Sequence, residues 1–291
     1  MIKCIASDMD GTLLNAKQEV SEATVQAIKA AQEQGIDFIV ATGRAYSEVR
    51  YVLDRAGIDC PAICVNGGEI RDKDGNVSFS VGLDGETSTK ITSVFSDLDI
   101  YFELYTRGGT YTTSYENGIQ VVVDIFHTAN PSMNIEEIRK SADDRFNQRL
   151  IKVIDDYGPI FAEEDCHVYK FLAFSRDEET LEKARTLLKE IAGIEVTSSG
   201  RNNLEVMHYQ AQKGAALQRY TEAQGISLAD TMALGDNYND ISMLEIAGHS
   251  VAMGNGEKPV KEIAKHVTDT NDNDGVAKAI VQALEGLKIS K

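Results

Sequence analysis

The chain has 291 residues, with 42% hydrophobic and 26% charged side chains, a length and balance that fit one large globular domain or two ordinary ones. Its formal net charge of −17, from 29 basic and 46 acidic side chains, argues against general nucleic-acid binding, which needs basic stripes, and against docking on anionic membranes. No apolar run approaches the ~18–20 residues of a membrane span, and Cys4, Cys60, Cys64 and Cys166 form no disulfide framework in a chain this long.

The start, Met1-Ile2-Lys3-Cys4, runs straight into a strand-like segment without a secretory pattern, so a reduced, cytoplasmic protein is expected. Ile2–Ser7 reads as the first strand. Ser21 can N-cap a helix with Val25, Ile28 and Ala31 on one face, ended by Gly35. Ile36–Ala41 is a second apolar strand. Ser47–Arg55 fits a helix with Val49, Val52 and Leu53 inward, stopped at Gly57, and Ala62–Val65 a third strand. Cys60 and Cys64 flank Pro61-Ala62-Ile63 and have no second Cys or His pair nearby, so buried thiols are expected there in preference to a zinc site. Near-continuous apolar strands between amphipathic helices predict a parallel sheet covered on both faces.

The middle of the chain changes character. Asp72-Lys73-Asp74-Gly75-Asn76 is a hairpin turn signal. After Leu83, alternating aromatic strands are expected at Tyr101–Thr106, Tyr111–Ser114, Gln120–Phe126, Val168–Phe174 and Leu204–Met207, with helices at Ile135–Phe146 and Glu178–Ile191. This α+β patterning places a second domain at 83–206, inserted into a first domain made of 1–82 and 207–291. The strand–helix rhythm then returns: helix Lys213–Gln224, strand Thr231–Leu234, helix Ile241–Ala247, strand Ser250–Met253, helix Pro259–Lys265, strand His266–Thr268 and a closing helix Gly275–Leu287.

Four separated segments carry chemistry. In Asp8-Met9-Asp10-Gly11-Thr12, two carboxylates at i and i+2 follow a strand, where alternation would point both to the same side. Asp8 suits a nucleophile on phosphorus and Asp10 a general acid and base; a solvated Asp-rich turn is the plain alternative. Thr42-Gly43-Arg44 follows the second strand, where a Thr hydroxyl and the Gly43 N–H can hold a phosphoryl oxygen, or where the chain simply turns into a helix. Lys213 opens a predicted helix and can neutralise phosphate and nucleophile, or lie at the surface. Gly235-Asp236-Asn237-Tyr238-Asn239-Asp240 follows a buried strand. There Asp236 suits a direct Mg2+ ligand and Asp240 a water-mediated role or a partner for Lys213, the alternative being an acidic helix cap. Three of the segments fall at carboxyl ends of predicted parallel strands, where ligand sites of open α/β sheets lie, and Lys213 supplies the missing positive charge.

In this order, Asp8-Met9-Asp10-Gly11-Thr12, Thr42-Gly43, Lys213 and Gly235-Asp236 with Asp240 resemble the motifs of the haloacid dehalogenase superfamily over essentially the whole chain. Within it, the sequence resembles the Cof-type phosphatases with a large α+β (type IIB) cap; Val65-Asn66-Gly67-Gly68 is similar to their Asn-Gly segment, Gly68 standing where Ala is common. The resemblance implies an α/β fold with a doubly wound, Rossmann-like parallel-sheet core and an inserted cap that closes over the core site and sets specificity. It implies Asp8 as nucleophile and Mg2+ ligand, Asp10 as acid/base with its backbone carbonyl on the metal, and Asp236 as second carboxylate ligand. Thr42, Gly43, Lys213, Asn239 and the Met9 backbone would hold the phosphate. Dehalogenases and P-type pumps of the superfamily lack an Asp at the position of Asp10, so phosphatase or phosphomutase chemistry is implied. Arg44, Asn66, Arg107, Tyr111, Arg201, Asn202 and Asn203 are candidates to face substrate, Arg44 and Asn66 foremost because they follow core strands.

The expected activity is Mg2+-dependent hydrolysis of small phosphorylated metabolites, namely sugar or polyol, nucleotide-like or pyridoxal phosphates, by a monomer or weak homodimer. The competing readings are a hexose phosphomutase of the same fold and a non-catalytic phosphometabolite-binding protein.

Overall fold

The computed structural model describes residues 2–129, 134–147, 151–163, 166–198 and 202–286. The chain forms two compact units, Met1–Ser80 with Gln210–Lys291, and Val81–Tyr209. The last strand of the second unit reaches His208, which pairs with Ile194.

The first unit begins with β1 (Cys4–Ser7), α1 (Glu22–Glu33), β2 (Asp37–Ala41), α2 (Tyr46–Ala56), β3 (Ala62–Cys64), β4 (Glu69–Arg71) and β5 (Val77–Ser80). The second unit supplies α3 (Gly85–Asp97), β6 (Tyr101–Thr106), β7 (Gly109–Thr112), α4 (Tyr115–Ala129), α5 (Ile135–Asn147), β8 (Ile151–Val153), the short α6 (Gly158–Phe161), β9 (Val168–Phe174), α7 (Glu178–Leu188), β10 (Ile194–Thr197) and β11 (Asn203–His208). The first unit resumes with α8 (Lys213–Ala223), β12 (Thr231–Gly235), α9 (Ile241–Ile246), β13 (His249–Ala252), α10 (Lys258–Ile263), β14 (His266–Val267) and α11 (Gly275–Leu284).

Eight strands of the first unit form one sheet in the order β14-β13-β12-β1-β2-β3-β4-β5. It is parallel from β14 to β3, and the β4–β5 hairpin adds two antiparallel strands at one edge. The local signals explain the elements. The Ser21 hydroxyl accepts the Thr24 amide at 3.2 Å and starts α1. Gly57, with φ +63°, ends α2 in the left-handed conformation that L side chains avoid. Val49, Val52 and Leu53 are buried as their spacing requires, whereas α1 buries Thr24, Ala27, Ile28 and Ala31 and leaves Val25 half-buried. One face of the sheet packs Cys4, Ala6, Ile39 and Ala233 against Leu217 of α8 and Met243 and Leu244 of α9; α1 packs on α11 and β2. The doubly wound α/β architecture follows.

The second unit is a six-stranded sheet in the order β10-β11-β9-β6-β7-β8, antiparallel except for β7 and β8. Strand alternation gives it two unlike faces. Phe102, Leu104, Phe171, Ala173, Leu204 and Val206 point to a core closed by Ile91 and Phe95 of α3 and Leu181, Ala184 and Leu188 of α7. The opposite face carries Glu103, Tyr105, Lys170 and Glu205, all buried, with Lys170 Nζ 3.2 Å from Glu205 Oε1 and 4.6 Å from the Tyr105 ring centroid.

One expectation fails here, and α3 has no counterpart among the expected elements. The run Gln120–Phe126 is not a strand but the middle of α4. Its β-branched residues favour strand locally, but Ile119 and Val123, four apart, share a helical stripe that packs on Ile138 and Ala142 of α5. Ser114 starts the helix by accepting the Asn117 amide on its hydroxyl and the Gly118 amide on its carbonyl. The segment after Leu83 opens with a helix, α3, capped by Asp84 accepting the Thr87 amide at 2.7 Å. Among the described residues no helix is long and apolar enough to cross a membrane.

The aromatic cluster sets the stability of the second unit. Phe171 is fully buried, with ring centroids 6.2 Å from Phe95 and 5.5 Å from Phe102. Phe171→Ala is expected to cost about 3–5 kcal/mol, read as a lowered urea midpoint; a loss below about 1 kcal/mol would show that this core does not hold the unit together.

Candidate active site

Parallel register brings three strand ends together. Ser7 pairs with Val40 on one side and Leu234 on the other, so Asp8, Thr42 and Asp236 emerge side by side at the carboxyl edge of the sheet. Asp8 is 5% exposed, and its amide donates to the Leu234 carbonyl at 3.0 Å, continuing the ladder one residue past β1.

Lys213, the first residue of α8, is fully buried. Its ammonium lies 2.6 Å from Asp8 Oδ1 and 2.7 Å from Asp240 Oδ1. Asp240 Oδ2 accepts the amides of Asp236 and Asn237, each at 2.9 Å. Both Asp240 oxygens are therefore committed, one to the lysine and one to the loop that presents Asp236. Asp236 Oδ1 accepts the Thr12 hydroxyl at 2.9 Å. Ligand atoms of Asp8, Asp236 and Asp240 lie within 4.8 Å of one another.

Burial, with Asp240 and Asp236 nearby, raises the Asp8 carboxyl well above the ordinary carboxylate range, against the opposing pull of Lys213. Burial, then Asp240, pushes Asp236 up to about 7. Burial alone would lower the Lys213 ammonium, but Asp240 and Asp8 outweigh it and raise it. Three buried carboxylates facing one ammonium are short of positive charge. Hard oxygen donors converging within 4.8 Å fit a divalent cation such as Mg2+, with Asp8 and Asp236 as the carboxylates still open to it.

The close approach depends on glycine. Gly11 has φ +79°, and a Cβ there would lie 2.4 Å from Asp236 Oδ2. A similar fit holds at Gly67, φ +101°, where a Cβ would lie 2.5 Å from the Gln212 carbonyl oxygen, immediately before Lys213. Val65 and Asn66 precede it with φ of 45° and 58°, a strained run for L residues. That turn buries Asn66 and lets its Oδ1 accept the Asn239 amide group at 3.2 Å. Thr42 is buried, its hydroxyl accepting the Arg44 amide at 3.2 Å. Met9 is buried, its carbonyl taken by the amides of Thr12 and Leu14.

Asp10 departs from the strand-alternation expectation. The strand ends at Ser7, so Asp10 lies in a turn, half exposed, and does not share the buried position of Asp8. Arg44 holds it with two contacts, Nε to Oδ2 at 2.7 Å and Nη2 to Oδ1 at 2.5 Å, and also donates to Gln18 Oε1 at 2.5 Å. Arg44, expected to face substrate, is thus engaged on Asp10. Gly43 lies between Thr42 and Arg44 in the same turn.

The remaining candidates belong to the second unit. Arg107 donates its amide to the His167 carbonyl at 3.4 Å, the Tyr111 hydroxyl donates to the Gly108 carbonyl at 3.2 Å, the Asn202 carbonyl accepts the Ser175 amide, and Asn203 opens β11. Arg201 lies outside the described residues. Sequence reading gave no role to Thr12 or Gln18; their partners are 224 and 26 residues away, so no local pattern marks them. Cys4 and Cys60 are pushed up to about 12 by burial, and no cysteine joins a metal-capable cluster among the described residues.

A family model described as haloacid dehalogenase-like hydrolase matches residues 5–280. The chain is 36% identical to the phosphatase YwpJ of Bacillus subtilis over 280 residues, 95% of this chain and 98% of that protein. It is also 36% identical over 286 residues to the 5-amino-6-(5-phospho-D-ribitylamino)uracil phosphatase YwtE of Bacillus subtilis, covering 98% and 99% of the two chains. Among solved structures, it resembles a haloacid dehalogenase-like hydrolase from Bacillus subtilis with a TM-score of 0.88 and 34% identity, over 96% of this chain and 99% of that one. With its buried aspartates gathered at the strand ends and these similarities running nearly end to end, the chain belongs to the haloacid dehalogenase-like hydrolase family and falls among its phosphatases.

Proposed function

We propose that this enzyme is a Mg2+-dependent phosphatase of small phosphorylated metabolites that works through an aspartyl-phosphate intermediate on Asp8. The observation that carries this reading is the buried bridge of Lys213 between Asp8 and Asp240, with Asp236 within 4.8 Å of both carboxylates. Asp8, Asp236 and the Asp10 backbone carbonyl would hold the ion. When bound, Mg2+ would offset the negative charge that nucleophile and phosphate bring together.

In this reading Asp8 attacks phosphorus, forming the Asp8 Oδ–P bond while the ester P–O bond breaks. Lys213 keeps its proton and offsets charge on Asp8 and the phosphoryl oxygens. Thr42, Gly43, Asn239 and the Met9 backbone hold those oxygens, Asn66 steadying Asn239. Asp10 protonates the leaving oxygen, then takes a proton from the water that cleaves the intermediate. Because Arg44 grips both Asp10 oxygens in this structure, Asp10 must loosen from Arg44 to receive or deliver that proton. The second unit is read as the specificity domain. The relative acting on a phosphoribitylamino-uracil supports a hydroxylated or heterocyclic phosphate ester as substrate class.

Asp8→Asn is expected to abolish inorganic phosphate release across a panel of sugar, polyol, nucleotide and pyridoxal phosphates, with an unchanged circular dichroism spectrum. Turnover within about tenfold of wild type in that variant would remove the covalent mechanism.

Dialysis against EDTA is expected to silence the enzyme and added Mg2+ to restore it. Full activity in the metal-free protein would rule out the ion.

Gly11→Ala places a methyl group where Asp236 Oδ2 now sits. It is expected to raise the Mg2+ concentration for half-maximal activity by about tenfold or more, since displacing one carboxylate ligand costs at least one such factor in affinity. An unchanged Mg2+ requirement would show that Asp236 does not bind the ion.

A further inference from the structure

The turn that carries Asp10 is braced from the far end of the chain. The sheet ladder ends at Asp8, two residues short of Asp10. Inside the turn the Asp8 carbonyl accepts the Leu13 amide at 3.2 Å, and the Met9 carbonyl accepts the Leu14 amide at 2.9 Å. The Gly11 carbonyl, one residue past Asp10, is met from outside the turn: Asn255 Nδ2 donates to it at 2.8 Å, across 244 positions of sequence. Leu14 forms an isolated β-bridge with Asp10, and its carbonyl accepts Asn271 Nδ2 at 2.8 Å, across 257 positions.

The two asparagines are themselves joined. Asn255 follows β13 and Asn271 follows β14, and the Asn271 amide donates to Asn255 Oδ1 at 3.0 Å. The same two loops meet again where the Gly254 amide donates to the Asp269 carbonyl at 3.0 Å. Gly11, Asn255, Asn271 and Leu14 thus form one relay of hydrogen bonds. Asparagine suits the position of Asn255, because one short side chain offers both the donor and the acceptor that the relay uses. A further tie, Asp272 Oδ1 accepting the Ala16 amide at 2.7 Å, holds the loop two residues beyond Leu14. Arg44 holds the Asp10 carboxylate; the relay holds the backbone beside it.

We propose that Asn255 and Asn271 are positioning residues for proton transfer, acting through the backbone next to Asp10, an inference that rests on the phosphatase reading above. In the first step the Asp8 Oδ–P bond forms, the ester P–O bond breaks, and the Asp10 proton passes to the leaving oxygen. In the second, a water oxygen bonds to phosphorus, the Asp8 Oδ–P bond breaks, and the water proton passes to Asp10. Both transfers require Asp10 within hydrogen-bond reach of the reacting oxygen, so a misplacement of about 1 Å is felt in the rate. The proton matters most to an alkoxide leaving group. It matters least to a nitrophenolate, which departs without one.

Benzyl phosphate and p-nitrophenyl phosphate are similar in shape and opposite in leaving group. The ratio of their kcat/KM values, measured on the full-length protein with Mg2+ present, therefore reads the delivery of that proton. Asn255→Ala is expected to lower kcat/KM by about tenfold or more on benzyl phosphate, a part of the roughly 10²–10⁴ that a positioned acid supplies, and by less than about twofold on p-nitrophenyl phosphate. Asn255→Asp keeps the acceptor for the Asn271 amide and loses the donor to Gly11, so it carries the same test should the alanine variant fail to fold. Asn271→Ala is expected to shift the ratio in the same direction, and the double alanine variant to add little, because the two residues act as one relay. Asn273→Ala is the control: its side chain donates to Thr270 Oγ1 at 2.9 Å in the same turn, outside the relay, and the ratio is expected to stay unchanged. Equal losses on both esters, an unchanged ratio in the Asn255 variants, or an equal shift in Asn273→Ala would each overturn the inference and leave the phosphatase reading standing. Wild-type protein inactive on both esters and on the metabolite panel would overturn the two together.

Discussion

One buried ammonium organises the catalytic unit. Lys213 is wholly shielded from water and bridges Asp8 and Asp240 at 2.6 and 2.7 Å. A charge so placed is tolerated only when paired, because desolvation penalises each isolated ion by several kcal/mol. The bridge therefore ties the end of β1, the start of α8 and the turn before α9 into one arrangement. Asp240 extends it by clamping the Asp236 and Asn237 amides, so the carboxylate that steadies the lysine also fixes the loop presenting Asp236. The remaining imbalance, three carboxylates to one ammonium, is what the proposed Mg2+ would offset.

Around that bridge the backbone gives way where close approach demands it. Gly11 and Gly67 leave no room for a Cβ against Asp236 and the residue before Lys213. Positive φ angles at Val65 and Asn66 are a local cost that brings Asn66 to Asn239. Such strain persists when the surrounding structure over-determines it, and here the surround is the parallel sheet, whose register fixes three strand ends within one neighbourhood. The second unit solves a different problem. Its aromatic core closes one face of a sheet, while the other face buries Glu103, Lys170 and Glu205 as partnered charges.

In the proposed reaction, Asp10 and Arg44 are where geometry meets chemistry. Asp10 is half exposed and doubly held, in contrast to the buried Asp8 two residues earlier. Two carboxylates so close in sequence thus meet different environments, the usual means by which one site separates a nucleophile from a proton carrier. Under the proposed mechanism, the Arg44 grip would give the turn after β2 a part in the timing of proton transfer.

Much of the core was legible from the sequence because its signals are local. Apolar strands bounded by capped helices, Ser21 before α1 and Gly57 after α2, depend on spacing within a dozen residues, and so do the acidic motifs at the strand ends. Local signals failed at Gln120–Phe126, where a β-branched run concealed the Ile119–Val123 stripe that only α5 gives a reason to exist. They failed again at Asp10, because strand alternation says nothing once the strand has stopped at Ser7. The sequence by itself determined which residues could do phosphoryl chemistry and which strands would carry them. Tertiary structure alone decided that Thr12 reaches Asp236 across 224 positions, that Asp10 turns to Arg44, and that Lys213 lies between two carboxylates, since contacts between distant segments are set by sheet register and packing, which no local pattern encodes.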